Sequence, residues 1–288
     1  MVSREKQSRH SDLKSEVGTP PEHKRVSEPV DFFKHLNGFK DQLAQKDVFV
    51  FLDYDGTLTP IVATPDLAVL SEAMREVVKK LSFCTKVSIV SGRATDDVQS
   101  KVQIDGIFYA GSHGFEIVSP DGKIKINEEA RAIRQVIDVV YEKLSENLKD
   151  VKGALVEHVK YTISVHYRLV SDDDFPKVKE AVEKSLNEYS NLRMTSGKKV
   201  FELRPKIDWH KGKAVEWILS CLGYQPENHL VVYIGDDITD EDAFAVLKDK
   251  GFGILVADTP RNSKAAYMIK DTQDVKKVLE FLIHLKNK

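Results

Sequence analysis

Cysteine is nearly missing from this chain: Cys84 and Cys221 are the only two in 288 residues, with no Cys-x-x-Cys pair and no His cluster at ligand spacing. Such usage fits a reducing compartment, here expected to be cytoplasmic, better than a disulfide scaffold, and it leaves little basis for a zinc site. Long apolar runs are lacking too. Nothing approaches the roughly 20 residues that cross a bilayer, and the opening Val2, Ser3, Arg4, Glu5 and Lys6 are not an apolar secretory core. Nor does either sign of charge prevail, since 43 Lys and Arg meet 45 Asp and Glu for a formal net charge of -2. Without a basic field, neither nucleic acid nor a membrane is an expected partner. What the chain does have is 41% hydrophobic residues, enough to bury a core in one large domain or in a core with one substantial insertion.

Residues 1–28 are rich in Lys, Arg, Glu, Ser and His, contain Pro20-Pro21 and carry almost no apolar anchor, so they read as a disordered tail. Pro29 suits the first turn of a helix in which Phe32, Phe33, Leu36, Phe39 and Leu43 recur at helical spacing. The run 48–52 reads as a buried strand. Helix (71–81), strand (87–90), helix (after Ala94) and strand (107–110) then alternate, which implies a parallel sheet covered on both faces. A hairpin, 115–118 with 123–126, turns at Ser119-Pro120-Asp121-Gly122.

Between 127 and 205 the rhythm changes to a helix (128–148), two strands (153–158, 160–169), a second helix (175–189) and two more strands (192–195, 199–203). This αββαββ unit is expected to be a cap inserted into an α/β core made of 29–126 and 206–288. The core pattern resumes with a helix (211–222), a strand (230–234), a helix (241–248), strands at 252–256 and 267–269, and a last helix ending near 285. Open parallel sheets bind ligands outside the carboxyl ends of their strands, so residues just after Leu52, Val90 and Ile234 should converge.

The first of those positions holds Asp53-Tyr54-Asp55-Gly56-Thr57. One carboxylate at a strand end and another two positions on can serve as an in-line nucleophile and a proton donor; a plain Asx-type turn has no use for the second Asp. The second position holds Ser91-Gly92-Arg93, which suits either phosphate oxygens at a helix N-terminus or simple helix capping. Lys211, opening a helix after the insert, can neutralise phosphate charge or merely be solvated. The third position holds Asp236, Asp237, Asp240, Glu241 and Asp242, carboxylates that repel one another unless a hard cation such as Mg²⁺ joins them; Thr239 or Asp240 can also serve as caps.

Taken together and in this order, Asp53-x-Asp55-Gly-Thr, Ser91, Lys211-Gly and Gly-Asp236-Asp237-x-x-Asp240 resemble the four motifs of the haloacid-dehalogenase superfamily. The resemblance implies a Rossmann-like core, Asp53 as nucleophile, Asp55 as general acid/base, and Ser91 and Lys211 on the phosphoryl oxygens. It further implies Mg²⁺ held by Asp53, the Asp55 carbonyl and Asp236, with Asp237 and Asp240 close by. Members that stop at the phospho-enzyme carry Thr where this chain has Asp55, so monoester hydrolysis is expected.

Further stretches are similar to the trehalose-6-phosphate phosphatase family: Leu52 to Ile61, Gly111-Ser-His-Gly114, Val156-Glu-His-Val-Lys160, Val165-His-Tyr-Arg168, Gly197 to Pro205 and Gly235 to Phe244. This likeness implies that the insert closes over a disaccharide phosphate. Thr57, Arg93, His113, Gly114, Glu157, Lys160, Arg168, Lys198 and Glu202 would then contact substrate. Lys198 and Glu202, four apart, should share one face of an extended strand, whereas Glu157 and Lys160, three apart, should not unless a turn intervenes. A phosphatase of the same fold for sucrose phosphate or mannosylglycerate phosphate, and a non-catalytic regulatory subunit, are the alternatives. Association with a trehalose-6-phosphate synthase stays open, as does oligomeric state.

Overall fold

The computed structural model describes residues 28–287, so the expected tail, apart from Glu28, lies outside the described residues. The chain enters as β1 (Val30–Asp31), a 3-10 turn (Phe32–Lys34) and α1 (Leu36–Gln45). The helix expected from Pro29 therefore begins only at Leu36. The Asp31 carboxylate accepts from the backbone N–H groups of Phe33 and Lys34, which ends the extended segment in a tight turn instead.

The alternation then follows: β2 (Asp47–Leu52), α2 (Glu72–Cys84), β3 (Lys86–Val90), α3 (Thr95–Val102) and β4 (Phe108–Gly111), with the hairpin β5 (Glu116–Val118) and β6 (Ile124–Ile126). Ser71 caps α2, its hydroxyl accepting from the N–H of Met74. Two helices, α4 (Glu128–Ala132) and α5 (Arg134–Leu148), replace the single one expected over 128–148. The break at Ile133 has a packing cause: Ala130 sits with Phe115 and Tyr161, while Ile137, Val140 and Leu144 enter a different core. Next come β7 (Leu155–Val159), β8 (Thr162–His166), α6 (Phe175–Glu188), β9 (Leu192–Gly197) and β10 (Val200–Pro205). The chain finishes with α7 (Lys211–Cys221), β11 (His229–Gly235), α8 (Glu241–Val246), β12 (Gly251–Val256), β13 (Tyr267–Ile269) and α9 (Thr272–Lys286).

Nine strands form the large sheet in the order β1-β13-β12-β11-β2-β3-β4-β5-β6, parallel from β1 to β4 and antiparallel in the hairpin. Alternate side chains of the central strands feed two cores. Val48, Val50 and Leu52 join Leu230, Val232 and Ile234 under α2 and α9, while Phe49 and Phe51 join Val231 and Tyr233 under α7 and α8. Each such buried aliphatic side chain contributes about 1.5–3 kcal/mol, which holds the strand ends rigidly for whatever stands on them. Because β3 is added on one side of β2 and β11 on the other, the strand order reverses there, and a crevice opens beyond the C-terminal end of β2.

The small sheet is antiparallel, β7-β8-β10-β9. Ile163, Val165, Phe201 and Leu203 face Val140, Leu144, Val178 and Val182 of α5 and α6. The intervening residues Glu157, Ser164, His166 and Glu202 face the crevice of the large sheet. No helix among the described residues is long and apolar enough to cross a membrane.

Candidate active site

Asp53 continues β2, its N–H donating to the carbonyl of Ile234 at 3.0 Å, and Asp236 follows the neighbouring β11. Between them the chain must reverse without a side chain in the way. Gly56 does this at φ +83°, where a Cβ would lie 2.1 Å from Oδ2 of Asp236. The Leu58 and Thr59 N–H groups return to the Tyr54 carbonyl and close the turn.

Lys211, the first residue of α7, is 2% exposed and donates to Oδ1 of Asp53 and Oδ1 of Asp240, each at 2.8 Å. Those two carboxylates hold it protonated despite its burial. Asp240 is saturated: Oδ1 also accepts from the Tyr233 hydroxyl at 2.7 Å, and Oδ2 accepts from the N–H groups of Asp236 and Asp237. It anchors the acidic loop. Burial raises the pKa of Asp53 well above its ordinary value, with Lys211 opposing and Asp240 and Asp236 adding to it. Burial likewise pushes Asp236 up to about 6, with Lys198 opposing.

Carboxylate oxygens of Asp53, Asp236 and Asp240 lie within 4.8 Å of one another. Oδ2 of Asp236 accepts from the Lys198 ammonium, and its buried Oδ1 has no partner among the described residues. Three clustered carboxylates, one of them with an unpartnered buried oxygen, make a donor set for a hard divalent cation. Asp237 stands outside that trio.

Asp55, 39% exposed in its side chain, is held by Arg93, with Nε to Oδ2 at 2.7 Å and Nη2 to Oδ1 at 2.8 Å. Ser91 is buried beyond β3, and its hydroxyl accepts from the Arg93 N–H at 3.1 Å. It does not cap α3, whose N-cap is Ala94. Thr57 is fully buried, and Gly114 turns at φ +88° with no room for a Cβ beside Ala214. Neither lines the cleft, nor does Ser91.

From the small sheet, Glu157, Arg168, Lys198 and Glu202 reach the same cleft as Asp53 and Asp55. Oε1 of Glu202 meets Nε2 of His113 at 2.6 Å, and its Oε2 accepts from the Thr195 hydroxyl at 3.3 Å. Burial opposes ionisation of Glu202, but His113, with Arg204 and Lys211 behind it, brings its pKa down to about 2. Lys198 does not share a strand with Glu202 as the spacing suggested. It sits in the turn before β10, beside Lys199 at φ +65°, and Arg168 donates to its carbonyl at 2.7 Å.

Lys160, like Thr57, Ser91 and Gly114, is an expected site residue that does not line the cleft. A turn does intervene after Glu157, with Lys160 at φ +54°, and it aims the ammonium at Glu116 (2.9 Å) and Asp96 (3.3 Å). Lys160 therefore ties the small sheet to the large one, as does the Ser112 hydroxyl on the Val159 carbonyl at 2.9 Å. Sequence reasoning also missed His166, which pairs with Glu157 at 3.0 Å, and Tyr233 beneath Asp240. His166 was findable as the next inward position of β8 after Ser164; Tyr233 reads only as a core aromatic.

These features can be set beside known proteins. Residues 51–274 match the family model for trehalose-phosphatase. The chain is 44% identical over 252 residues to "Probable trehalose-phosphate phosphatase D" of Arabidopsis thaliana, covering 84% of this chain and 68% of that one. It is 45% identical over 258 residues to "Trehalose 6-phosphate phosphatase RA3" of Zea mays, covering 84% and 71%. The solved structure of a trehalose-6-phosphate phosphatase related protein superposes with a TM-score of 0.73 at 25% identity, covering 82% of this chain and 97% of that one. A haloacid dehalogenase-like hydrolase from Bacteroides thetaiotaomicron, 17% identical with a TM-score of 0.54, covers 82% of this chain and 99% of that one and shares the fold. With the matched span running from the strand before Asp53 past the acidic loop to α9 and taking in the small sheet, the chain belongs to the trehalose-phosphatase family.

Proposed function

We propose that Asp53 carries the phosphoryl group when this protein, a trehalose-phosphate phosphatase and so a phosphoric monoester hydrolase, cleaves trehalose 6-phosphate. The observation that carries this reading is the buried Lys211 bridging Asp53 and Asp240, a cation prepaid at the point where a carboxylate must meet a phosphate dianion. An Asp53 oxygen attacks phosphorus, and the bond from phosphorus to the sugar oxygen breaks as that oxygen takes a proton from Asp55. Water then bonds to phosphorus and gives its proton to Asp55, and the bond to Asp53 breaks, returning the free carboxylate. Lys211 serves the phosphoryl oxygens, while Ser91, buried outside the cleft lining, holds the Arg93 backbone beside them.

Mg²⁺ is the cation that suits this donor set. Asp53 and Asp236 would hold it, with the Asp55 carbonyl, while Asp237 and the already saturated Asp240 shape the loop. When bound it supplies positive charge against the phosphoryl oxygens. Residues 127–205 act as a cap whose polar face reads the sugar: Glu157, Arg168, Lys198 and Glu202 offer charged hydrogen bonds, and His113 orients Glu202. A cytoplasmic setting fits a chain that has only two cysteines and no Cys-x-x-Cys pair.

Phosphate release from trehalose 6-phosphate, glucose 6-phosphate and sucrose 6-phosphate, each with and without Mg²⁺, tests the reading. Trehalose 6-phosphate should be preferred by tenfold or more, on the order of one charged hydrogen bond, and only with the metal. Equal rates on all three would remove the cap from specificity.

A further inference from the structure

Arg93 is spent on protein rather than offered to a ligand. Nε and Nη2 fork the Asp55 carboxylate, Nη2 also donates to the Pro65 carbonyl at 2.8 Å, and Nη1 donates to Oδ2 of Asp97 at 2.8 Å. Four of its five N–H donors are thus committed. The guanidinium lies over the Tyr54 ring, 5.3 Å from its centroid, and the side chain is only 7% exposed. Among the described residues, no other side chain hydrogen-bonds the Asp55 carboxylate.

An arginine that is to bind phosphate should present a free fork to the cleft. Arg93 presents at most one N–H. A carboxylate that is to pass protons at a fixed distance should have its plane set by a rigid partner, and a bidentate guanidinium does that while using one lone pair on each oxygen and leaving the others open. The partner is itself fixed at three points: through Asp97 to the first turn of α3, through Pro65 to the 61–65 loop that lines the cleft, and through its own N–H to Ser91.

We propose that Arg93 is a positioning residue for Asp55 and not a substrate ligand. It holds the acid/base carboxylate in place relative to Asp53 and ties it to the loop that forms one wall of the sugar site. This rests on the reading of Asp55 as the acid/base. When water attacks the phospho-enzyme, its oxygen bonds to phosphorus, its proton passes to a free lone pair of Asp55, and the bond to Asp53 breaks; Arg93 keeps that lone pair facing the water.

The test compares R93M, R93K, D55N and the double variant D55N/R93M on trehalose 6-phosphate with Mg²⁺, following kcat, KM and rapid-quench phospho-enzyme. General acid–base help is worth about 10²–10⁴-fold, so R93M should lower kcat by roughly 10²-fold while KM moves less than about threefold. R93K keeps a charge without a fork and should recover little of the loss. In the D55N background R93M should cost less than about twofold more, because its route to the chemistry is already cut. Should R93M not fold, R93K against D55N/R93K carries the same comparison. A raised KM with kcat kept would make Arg93 a substrate ligand and overturn the proposal, as would full multiplication of the two losses or wild-type kcat in R93K. A D55N protein that turns over like wild type would instead remove the acid/base role itself, a result separable from every Arg93 outcome.

Discussion

The large and small sheets present polar groups to one cleft in opposite ways. On the parallel sheet they stand past strand ends, where Asp53, Lys211 and Asp240 are almost wholly buried and each leans on the others. On the antiparallel sheet they stand on a face, every second residue, backed by an apolar layer that packs on α5 and α6. A group in the first setting cannot change without stranding its buried neighbours. A group in the second borders an open cleft and loses chiefly its own contacts. The teaching is that losses at the strand ends should be near-complete and blind to the substrate, and losses on the sheet face graded and substrate-dependent.

Asp53→Asn presses hardest on that contrast. An amide cannot form the acyl-phosphate, so phosphate release should fall by roughly 10⁴-fold or more, as when other covalent nucleophiles are lost. The fall should be the same for trehalose 6-phosphate and for a small aryl phosphate. Activity on either substrate in a preparation free of wild type would break the contrast at its stronger end.

Chelation comes next. EDTA should stop turnover and Mg²⁺ restore it, and calorimetric titration should show Mg²⁺ binding weakened by about 10–100-fold in Asp236→Ala. Unchanged binding would mean that the unpartnered Oδ1 of Asp236 faces something other than a cation.

On the sheet face, Glu202→Gln should lower kcat/KM for trehalose 6-phosphate by about ten- to a hundredfold, the worth of a charged hydrogen bond of roughly 1.5–3 kcal/mol. The aryl phosphate makes no such contact and should be hydrolysed nearly as before. The ratio of the two activities is the measurement; equal losses would place Glu202 with the strand-end residues.

The smallest effect sharpens the comparison through pH. Glu202 sits at about 2 in the folded protein, below its ordinary 4.5. Its ionised form therefore stabilises the fold fully above about 4.5, and that contribution is lost as pH falls toward 2. In urea unfolding, wild type should exceed Glu202→Gln by roughly 1–3 kcal/mol at pH 7, with the gap narrowing below about pH 4.5. A gap that is constant with pH would mean that His113 does not hold Glu202 ionised.

The region around Asp53 was readable because its signals are local. An apolar run such as 48–52 declares a strand buried on both faces, and Asp53, Asp55 and Gly56 follow it without a gap. The αββαββ order of 127–205 is also a property of neighbouring residues, read from the change in helix and strand rhythm, whereas the inward placement of Ser164 and His166 came from the structure. Two boundaries were not readable. The helix start at Leu36 depends on Val30 and Asp31 pairing with Tyr267 and Met268, and the break at Ile133 depends on two separate cores.

What the sequence by itself determined is thus which residues can do chemistry and which strand ends carry them, because backbone periodicity and covalent order need no knowledge of distant neighbours. What only the tertiary structure decided is how each donor is spent. Arg93 could have met a phosphate but meets Asp55, Asp97 and Pro65; Lys160 could have met a sugar but meets Glu116 and Asp96; Asp240 could have met a metal but is filled by Tyr233, Lys211 and two backbone N–H groups. A buried polar atom pairs with whichever partner the packing of remote elements brings within about 3 Å, and no local pattern encodes that choice.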